Sequence, residues 1–174
     1  MLKDPENYSY DYTRKLIQGI TDPETQRWAC LLYATGARVS EALSIKAKDI
    51  TEQENTSDKY LIIRCPVFKK HDGKIQYRQA PVRLDEQWLV QPIRVLLQQA
   101  KHPDSNIINA HRATVYRKLV KSIGINPHGF RKLRATHLST KFKFNETKLV
   151  KFFGWADFRP AGIYAKANLE DIMY

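Results

Sequence analysis

Hydrophobic residues recur at helical spacing along most of the chain. Thr21-Asp22-Pro23 is typical of a helix start, because a capping side chain precedes a proline in the first turn. Apolar residues follow with a helical period through residues 28–35, and Gly36 is suited to end that helix. A second, short helix is predicted to carry Val39. Another helix is predicted to begin at Pro92, and three or four further helical segments are predicted from about Ala110 onward.

One region alternates between apolar and polar residues, which is the period of a β-strand. Tyr60–Cys65 and Ile75–Ala80 are predicted strands, and Asp72-Gly73 between them is among the strongest hairpin-turn dipeptides. The polar stretch Thr51–Asp58 is predicted to be a loop. The pattern therefore predicts an α+β fold that is mainly α-helical and has a small antiparallel β-hairpin or sheet.

Composition narrows the class of protein. The 174 residues are 43% hydrophobic, which suits one globular domain with a sizeable core. The longest apolar runs, such as Trp28–Tyr33, fall far short of the roughly 18 to 20 residues of a membrane span, and no secretory leader opens the chain. Cys30 and Cys65 are too few for a disulfide framework and give no metal-binding pair. These features predict a cytoplasmic protein with no membrane partner.

Charge indicates the kind of partner. Twenty-nine Lys and Arg against eighteen Asp and Glu leave a net charge of +11. An excess of this size points to a polyanion, usually nucleic acid. Because the chain starts almost directly at its first helix, residues 1–174 are interpreted as one domain with no DNA-gripping domain before it. We expect either a fragment or an unusually short natural protein.

Two basic stretches carry candidate chemistry. In the first, Gly36 permits a sharp turn, and Glu41 stands three residues after Arg38, where its carboxylate is expected to steady the guanidinium. A surface ion pair on a helix would look the same. In the second, His128 and Arg131 begin a helix, where a basic first turn opposes the helix dipole unless an anion binds there. An ordinary basic helix is the alternative.

The remaining stretches are an aromatic pair and a basic hairpin. Trp155 follows Gly154, and Tyr164 lies nine residues further on. Both rings would also suit a plain aromatic core. Three lysines flank the predicted hairpin turn, and basic hairpin tips are common solvated features: Lys69, Lys70 and Lys74.

In this order and spacing, the stretches resemble the tyrosine recombinase (phage integrase) family, which includes the Xer-type resolvases. The family's first box reads approximately T-G-x-R-x-S-E, as residues 35–41 do. Its second box, H-x-x-R with A-T after it, is similar to His128–Thr136, and its third places a tyrosine nine residues after L-G-H or L-G-W. The resemblance covers about residues 22–168, and the sequence Arg134–Leu138 looks most like that of archaeal members.

Two features depart from the family pattern. Lys132 replaces the histidine that usually follows the second arginine, although a cation is still present. Arg134 offers a competing register in which it would be the second catalytic arginine and the leading histidine would be lost. Arg131 is preferred, because His128 and Ala135-Thr136 then fall into place together.

The resemblance implies a role for each site residue. Tyr164 is the nucleophile that forms a 3′-phosphotyrosyl bond with DNA. Arg38 and Arg131 donate to the non-bridging phosphate oxygens, and Trp155 donates its indole N–H to the same phosphate. His128 accepts the tyrosine proton or hydrogen-bonds the phosphate. The supporting residues and the general acid complete the set: Glu41, Lys132 and the hairpin lysine Lys70, with Lys69 and Lys74 left open for that last role.

The resemblance also implies what the reaction needs. Arginines and a lysine supply the positive charge that divalent ions supply in other nucleases, so no metal is expected. The phosphotyrosyl bond stores the energy of the broken phosphodiester, so no ATP or other cofactor is expected. Double-stranded DNA is the expected partner. A helix over Asn168–Met173 is expected to dock on a neighbouring protomer in a tetramer on DNA.

Three rival interpretations stay open. A type IB topoisomerase shares the tyrosine chemistry but relaxes DNA. A non-cutting DNA-binding module could keep the fold without the reaction. A basic helical protein that binds RNA is the third, although no aromatic stacking signature on a strand supports it.

Overall fold

The computed structural model describes residues 7–54, 58–68 and 73–165. Helices dominate it, and one three-stranded antiparallel sheet lies among them. In chain order the elements are α1 (Tyr10–Gln18), α2 (Pro23–Thr35), α3 (Val39–Ala42), a 3-10 turn (Ala47–Asp49), β1 (Ile50–Glu54), β2 (Lys59–Phe68), β3 (Ile75–Arg83), α4 (Gln87–Gln99), α5 (Arg112–Ile123), α6 (Pro127–Thr140), α7 (Glu146–Phe153) and α8 (Arg159–Ala165). This is the predicted fold class.

The core is built around α2, which is buried over most of its length. Its side chains from Trp28 to Thr35 are all inaccessible or nearly so. Helices α4, α5 and α6 and strand β3 pack around it. The start signal is confirmed, because Asp22 caps α2 and accepts from the Thr25 backbone N–H at 3.2 Å. Gly36 ends the helix in the left-handed conformation, with φ +60°.

The inner face of the sheet packs against this core. Alternate residues of β2 point inward, namely Leu61, Ile63 and Cys65, and the facing positions of β3 are Val82, Ala80 and Arg78. An arginine therefore stands at an inward position where the pattern calls for an apolar residue. Gly73, the second residue of the predicted hairpin turn, has φ +62°.

The loop predicted for Thr51–Asp58 is wrong over its first part. Ile50–Glu54 forms β1 and pairs with Lys59–Ile63 of β2. Backbone pairing, rather than side-chain burial, makes this edge strand, so its polar sequence concealed it. Helix α1 also lies ahead of the Asp22 start signal, where no helix was predicted.

The predicted helix start at Pro92 is also wrong. Helix α4 begins five residues earlier, at Gln87, and Pro92 lies inside it. A proline removes the N–H that would bond the carbonyl four residues back, which is that of Trp88. The buried Cys30 thiol donates to this carbonyl at 3.6 Å and thereby replaces part of the missing bond. Burial raises the pKa of Cys30 to about 12, so the thiol stays protonated and can donate.

Candidate active site

The first box forms the turn between α2 and α3. The Thr35 hydroxyl accepts from the Ala37 backbone N–H at 3.1 Å, which fixes the turn locally. A Cβ on Gly36 would stand 2.4 Å from a ring carbon of Phe153, so only glycine allows α7 to approach this closely. Arg38 follows at the N-cap of α3 and is exposed.

Glu41 is buried beside this turn, but it does not hold the Arg38 guanidinium as predicted. Its Oε1 accepts from the Arg38 backbone N–H, and its Oε2 accepts from the Phe68 backbone N–H, each at 3.0 Å. The carboxylate satisfies orphan amides at the start of α3 and at the end of β2. It therefore fixes the backbone that carries Arg38.

The second box begins α6. Asn126 caps the helix by accepting from the Gly129 N–H at 2.8 Å, and His128 stands exposed in the first turn. One turn further on, Arg131 is half-buried and donates through Nη1 to the Gly36 carbonyl at 2.7 Å. Its guanidinium carbon lies 5.1 Å from the centre of the Phe153 ring. Arg131 thus links the second box to the turn of the first.

The Arg131 guanidinium lies in an unusually cationic setting. Burial and then the neighbouring charge of Arg78 lower its pKa to about 10. Glu41, Arg38 and Tyr164 are the other charged or titratable groups that act on it. A cation held among cations gains from any anion that enters, so this position favours a phosphate.

Arg134, the competing arginine, lies elsewhere. It is 1% exposed, and its two terminal nitrogens donate to the two carboxylate oxygens of Glu86 at 3.0 Å each. Its guanidinium also lies 5.1 Å from the Tyr33 ring centre. Arg134 is thus bound in a buried bidentate ion pair within the core.

The third box continues from the end of α7. Gly154 ends that helix with φ +67°, and the chain turns back through Trp155 towards α8. The Trp155 ring stacks on Phe153 at 4.7 Å and on Tyr164 at 6.0 Å, with interplanar angles of 16° and 11°. The Ser139 hydroxyl donates to the Tyr164 carbonyl at 2.9 Å and ties α8 to α6. The three rings form one aromatic column next to Arg131.

The structure gives only the burial of the remaining predicted site residues, or does not describe them. Lys132 is half-buried on α6, next to Arg131. Lys69 and Lys70 lie outside the described residues, whereas Lys74 is exposed beyond the hairpin turn. No group of three His, Cys, Asp or Glu in the described part of the chain could hold a metal ion.

Sequence reasoning missed Arg78. It lies on β3 and is 6% exposed, and its Nη2 donates to the Thr35 carbonyl at 2.7 Å. The available signal was its position, since alternation along Ile75–Arg83 turns this charged residue inward together with Ala80 and Val82.

The site thus brings parts of all three boxes together. Arg131 contacts the Gly36 turn and Phe153, and Phe153 begins the ring column that ends at Tyr164. The chain belongs to the phage integrase family, which matches residues 11–170. No curated protein sequence matches it significantly. No helix in the described part of the chain is long and apolar enough to cross a membrane.

Solved tyrosine recombinases share this fold. A XerH site-specific recombinase bound to its difH substrate before cleavage superposes with a TM-score of 0.62 at 19% identity, over 97% of this chain and 52% of that one. XerA recombinase gives 0.65 at 20% identity, over 94% and 61%. The Tn1549 transposon integrase with a circular-intermediate DNA gives 0.63 at 15% identity, over 98% and 67%. The chain spans about half to two thirds of their lengths.

Proposed function

We propose that this protein is a site-specific recombinase or integrase that cleaves and rejoins DNA strands through a 3′-phosphotyrosyl intermediate. The observation that carries the proposal is the convergence of Arg131, the Gly36 turn and the Phe153–Trp155–Tyr164 column at one place. Family membership and the likeness to recombinases solved with DNA support it.

Tyr164 is the proposed nucleophile. Its hydroxyl oxygen attacks the scissile phosphorus, the bond from phosphorus to the 5′-oxygen breaks, and the 3′-phosphate stays on the tyrosine. His128 takes the proton of the tyrosine hydroxyl or hydrogen-bonds the phosphate. Rejoining runs the same steps in reverse, with a 5′-hydroxyl as the attacking group.

Arg38 and Arg131 stabilise the additional negative charge of the transition state, because each presents a forked, positively charged donor at neutral pH. Trp155 donates its indole N–H to the same phosphate. Glu41 and Lys132 are supporting residues. Two backbone hydrogen bonds from Arg38 and Phe68 to Glu41 favour a role for this carboxylate in holding the arginine turn.

Lys70 is the proposed general acid for the departing 5′-oxygen, with Lys69 and Lys74 as the alternatives. The chemistry is proposed to need no metal ion, because arginines and a lysine supply the positive charge for the phosphate. It needs no ATP, because the phosphotyrosyl bond conserves the energy of the phosphodiester. The enzyme is proposed to act in the cytoplasm.

Charge distribution supports DNA as the partner. Residues 105–145, which include α5 and α6, carry nine Lys and Arg and no Asp or Glu. All of them except Arg134, which is buried against Glu86, are exposed or half-buried, and such an excess of positive charge attracts a polyanion and makes association depend on salt.

A nicked suicide substrate tests the proposal. A pool of duplexes with randomised sequence around the nick is incubated with the protein in EDTA, and covalent complexes are isolated on a denaturing gel and sequenced. We expect a DNA-linked protein band and an enriched sequence. A protein that binds the pool but forms no band would instead be a DNA-binding module on the same fold.

Strand exchange separates a recombinase from a type IB topoisomerase. We expect recombinant products from a plasmid that carries two copies of the captured sequence. Relaxation of a supercoiled plasmid without exchange would favour the topoisomerase.

We also propose that protomers assemble on DNA through Asn168–Met173, which lies outside the described residues and combines apolar side chains with Glu170 and Asp171. A groove of about 590 Å³ beside α6 offers the complementary surface. Its lining includes apolar and basic side chains: Ile62, Pro81, Leu138, Phe142, Phe144, Lys141, Lys143 and Lys148. The proposed occupant is this segment of a second copy, which would make a tetramer on the captured site.

Charge reversal tests this assembly. Lys141→Glu with Lys148→Glu, or Glu170→Lys with Asp171→Lys, is expected to reduce the tetramer measured by light scattering on the captured DNA. Mixing the two reversed proteins is expected to restore assembly in part, because each supplies one matching surface. Unchanged assembly in both variants would contradict the proposal.

A further inference from the structure

Arg78 is a buried arginine that the proposed reaction does not use directly. It stands on β3 opposite Cys65 of β2, on the face that packs against the core. Its exposed fraction is 6%. An arginine is rarely buried to this extent without a carboxylate partner.

Two helix ends take the place of that partner. Nη2 donates to the carbonyl of Thr35, the last residue of α2, and Nη1 donates to the carbonyl of Phe152, the penultimate residue of α7. The last carbonyls of a helix lack intrahelical donors and carry partial negative charge, so both favour a cation. One guanidinium therefore bridges two helix C-termini from different parts of the chain.

These two helix ends lead directly into the proposed site. The turn that presents Arg38 follows Thr35, and the turn that presents Trp155 follows Phe152. The stem of Arg78 also supports the second turn, since a Cβ on Gly154 would stand 3.3 Å from the Arg78 Cδ.

Among the described residues, the terminal nitrogens of Arg78 bond to carbonyls and not to a carboxylate, and its buried Nε has no hydrogen-bond partner there. The charge of Glu41 also acts on Arg78, although both carboxylate oxygens of Glu41 accept from backbone amides. The charge of Arg78 is among the causes that lower the pKa of Arg131.

We infer that Arg78 is a positioning residue for the DNA-cleaving site, resting on the function proposed above. It fixes the separation of the Arg38 turn and the Trp155 turn by bridging α2 and α7. It also adds a positive charge that acts on Arg131, which favours the entry of a phosphate. It does not touch the phosphate itself.

Three variants separate its geometry from its charge. Arg78→Met removes both the bridge and the charge, and Arg78→Lys keeps the charge but cannot make the forked bridge. Arg134→Lys is the matched control, because it alters a second buried arginine whose hydrogen bonds go to Glu86 and not to the site. Single-turnover formation of the covalent complex is measured at saturating captured DNA, together with the DNA dissociation constant and the melting temperature.

We expect Arg78→Met to slow covalent-complex formation on the order of 100-fold, the scale of a misplaced catalytic group, with DNA affinity within a few-fold of wild type. Arg78→Lys should recover part of the rate. Arg134→Lys should lower the melting temperature. At a temperature where this variant is folded, its rate of covalent-complex formation should be unchanged. If Arg78→Met does not fold, Arg78→Lys against Arg134→Lys decides.

Wild-type rates in folded Arg78 variants, or equal rate losses in the Arg78 and Arg134 variants, would overturn the positioning role alone. Absence of the covalent complex from the wild-type protein would overturn the proposed function, and this inference with it.

Discussion

At the scale of single residues, His137 is the centre of a buried chain of hydrogen bonds. The Tyr33 hydroxyl lies 2.7 Å from its Nδ1, and its Nε2 lies 2.8 Å from the Tyr8 carbonyl. Because a carbonyl only accepts, Nε2 carries the proton and Nδ1 accepts from the tyrosine. The neutral imidazole thus satisfies both neighbours, and burial lowers its pKa to about 4.

This histidine predicts acid sensitivity of the fold. The unfolded state binds a proton near pH 6.5 and the folded state only near pH 4, so stability is complete above pH 6.5 and falls as pH drops between these values. The loss from this residue approaches about 3 kcal/mol by pH 4.

Urea unfolding between pH 7.5 and pH 4.5 tests this predicted acid sensitivity. His137→Gln should be less stable than wild type at pH 7.5 but should lose less between these pH values. His111→Gln, at an exposed position, should keep the wild-type pH dependence. Identical pH profiles for His137→Gln and wild type would remove His137 as the cause.

The hairpin lysines give a second residue-scale prediction. Lys70→Ala should slow cleavage of the captured site by on the order of 100-fold or more, the usual contribution of a general acid. A bridging 5′-sulfur is a better leaving group that needs no proton, so cleavage of that substrate should be little affected. Equal losses on both substrates would remove Lys70 from the acid role, and Lys69 and Lys74 would be compared in the same way.

At the scale of elements, local chemistry explains what the sequence could predict. Asp22-Pro23 and Gly36 bound α2 because caps act within one turn. Strand β1 could not be read from its side chains, since its partner Lys59–Ile63 supplies the stabilising bonds. The start of α4 was missed because Cys30, far away in sequence, compensates for Pro92.

The same reasoning applies within the site. The three boxes could be located from residue types and spacing, although whether each residue acts as assigned stays a prediction. The hydrogen-bond partners of Glu41 and Arg78 could not be predicted from the sequence. They include backbone groups of Phe68, Thr35 and Phe152, which only folding brings near.

Two helix-ending glycines form a matched pair for stability. Both Gly36 and Gly124 are left-handed, with φ +60° and +71°, but a Cβ meets Phe153 only at Gly36. Gly124→Ala should cost about 1 to 2 kcal/mol from backbone strain alone. Gly36→Ala should cost clearly more, because Phe153 must move as well. Urea unfolding measures both, and equal losses would contradict the tight packing of α7 against the first turn.

At the scale of the whole molecule, the net charge of +11 predicts that DNA binding depends strongly on salt. Each neutralised phosphate contributes a slope of about −0.9 to log affinity against log salt, so about six contacts lose on the order of 1,000-fold between 50 and 200 mM. Fluorescence anisotropy with a labelled duplex measures this slope. Affinity that does not change with salt would contradict an electrostatic interface.

The most direct test of the whole account concerns the nucleophile. Tyr164 stacks on Trp155 within the site, and Tyr174, at the end of the chain, is the nearest tyrosine in sequence. Tyr164→Phe removes one oxygen, so folding and DNA affinity should persist while the covalent complex on the captured nicked DNA disappears. Tyr174→Phe should retain the complex. A DNA-linked band that survives in Tyr164→Phe, or one that is lost in Tyr174→Phe instead, would contradict the assignment of Tyr164.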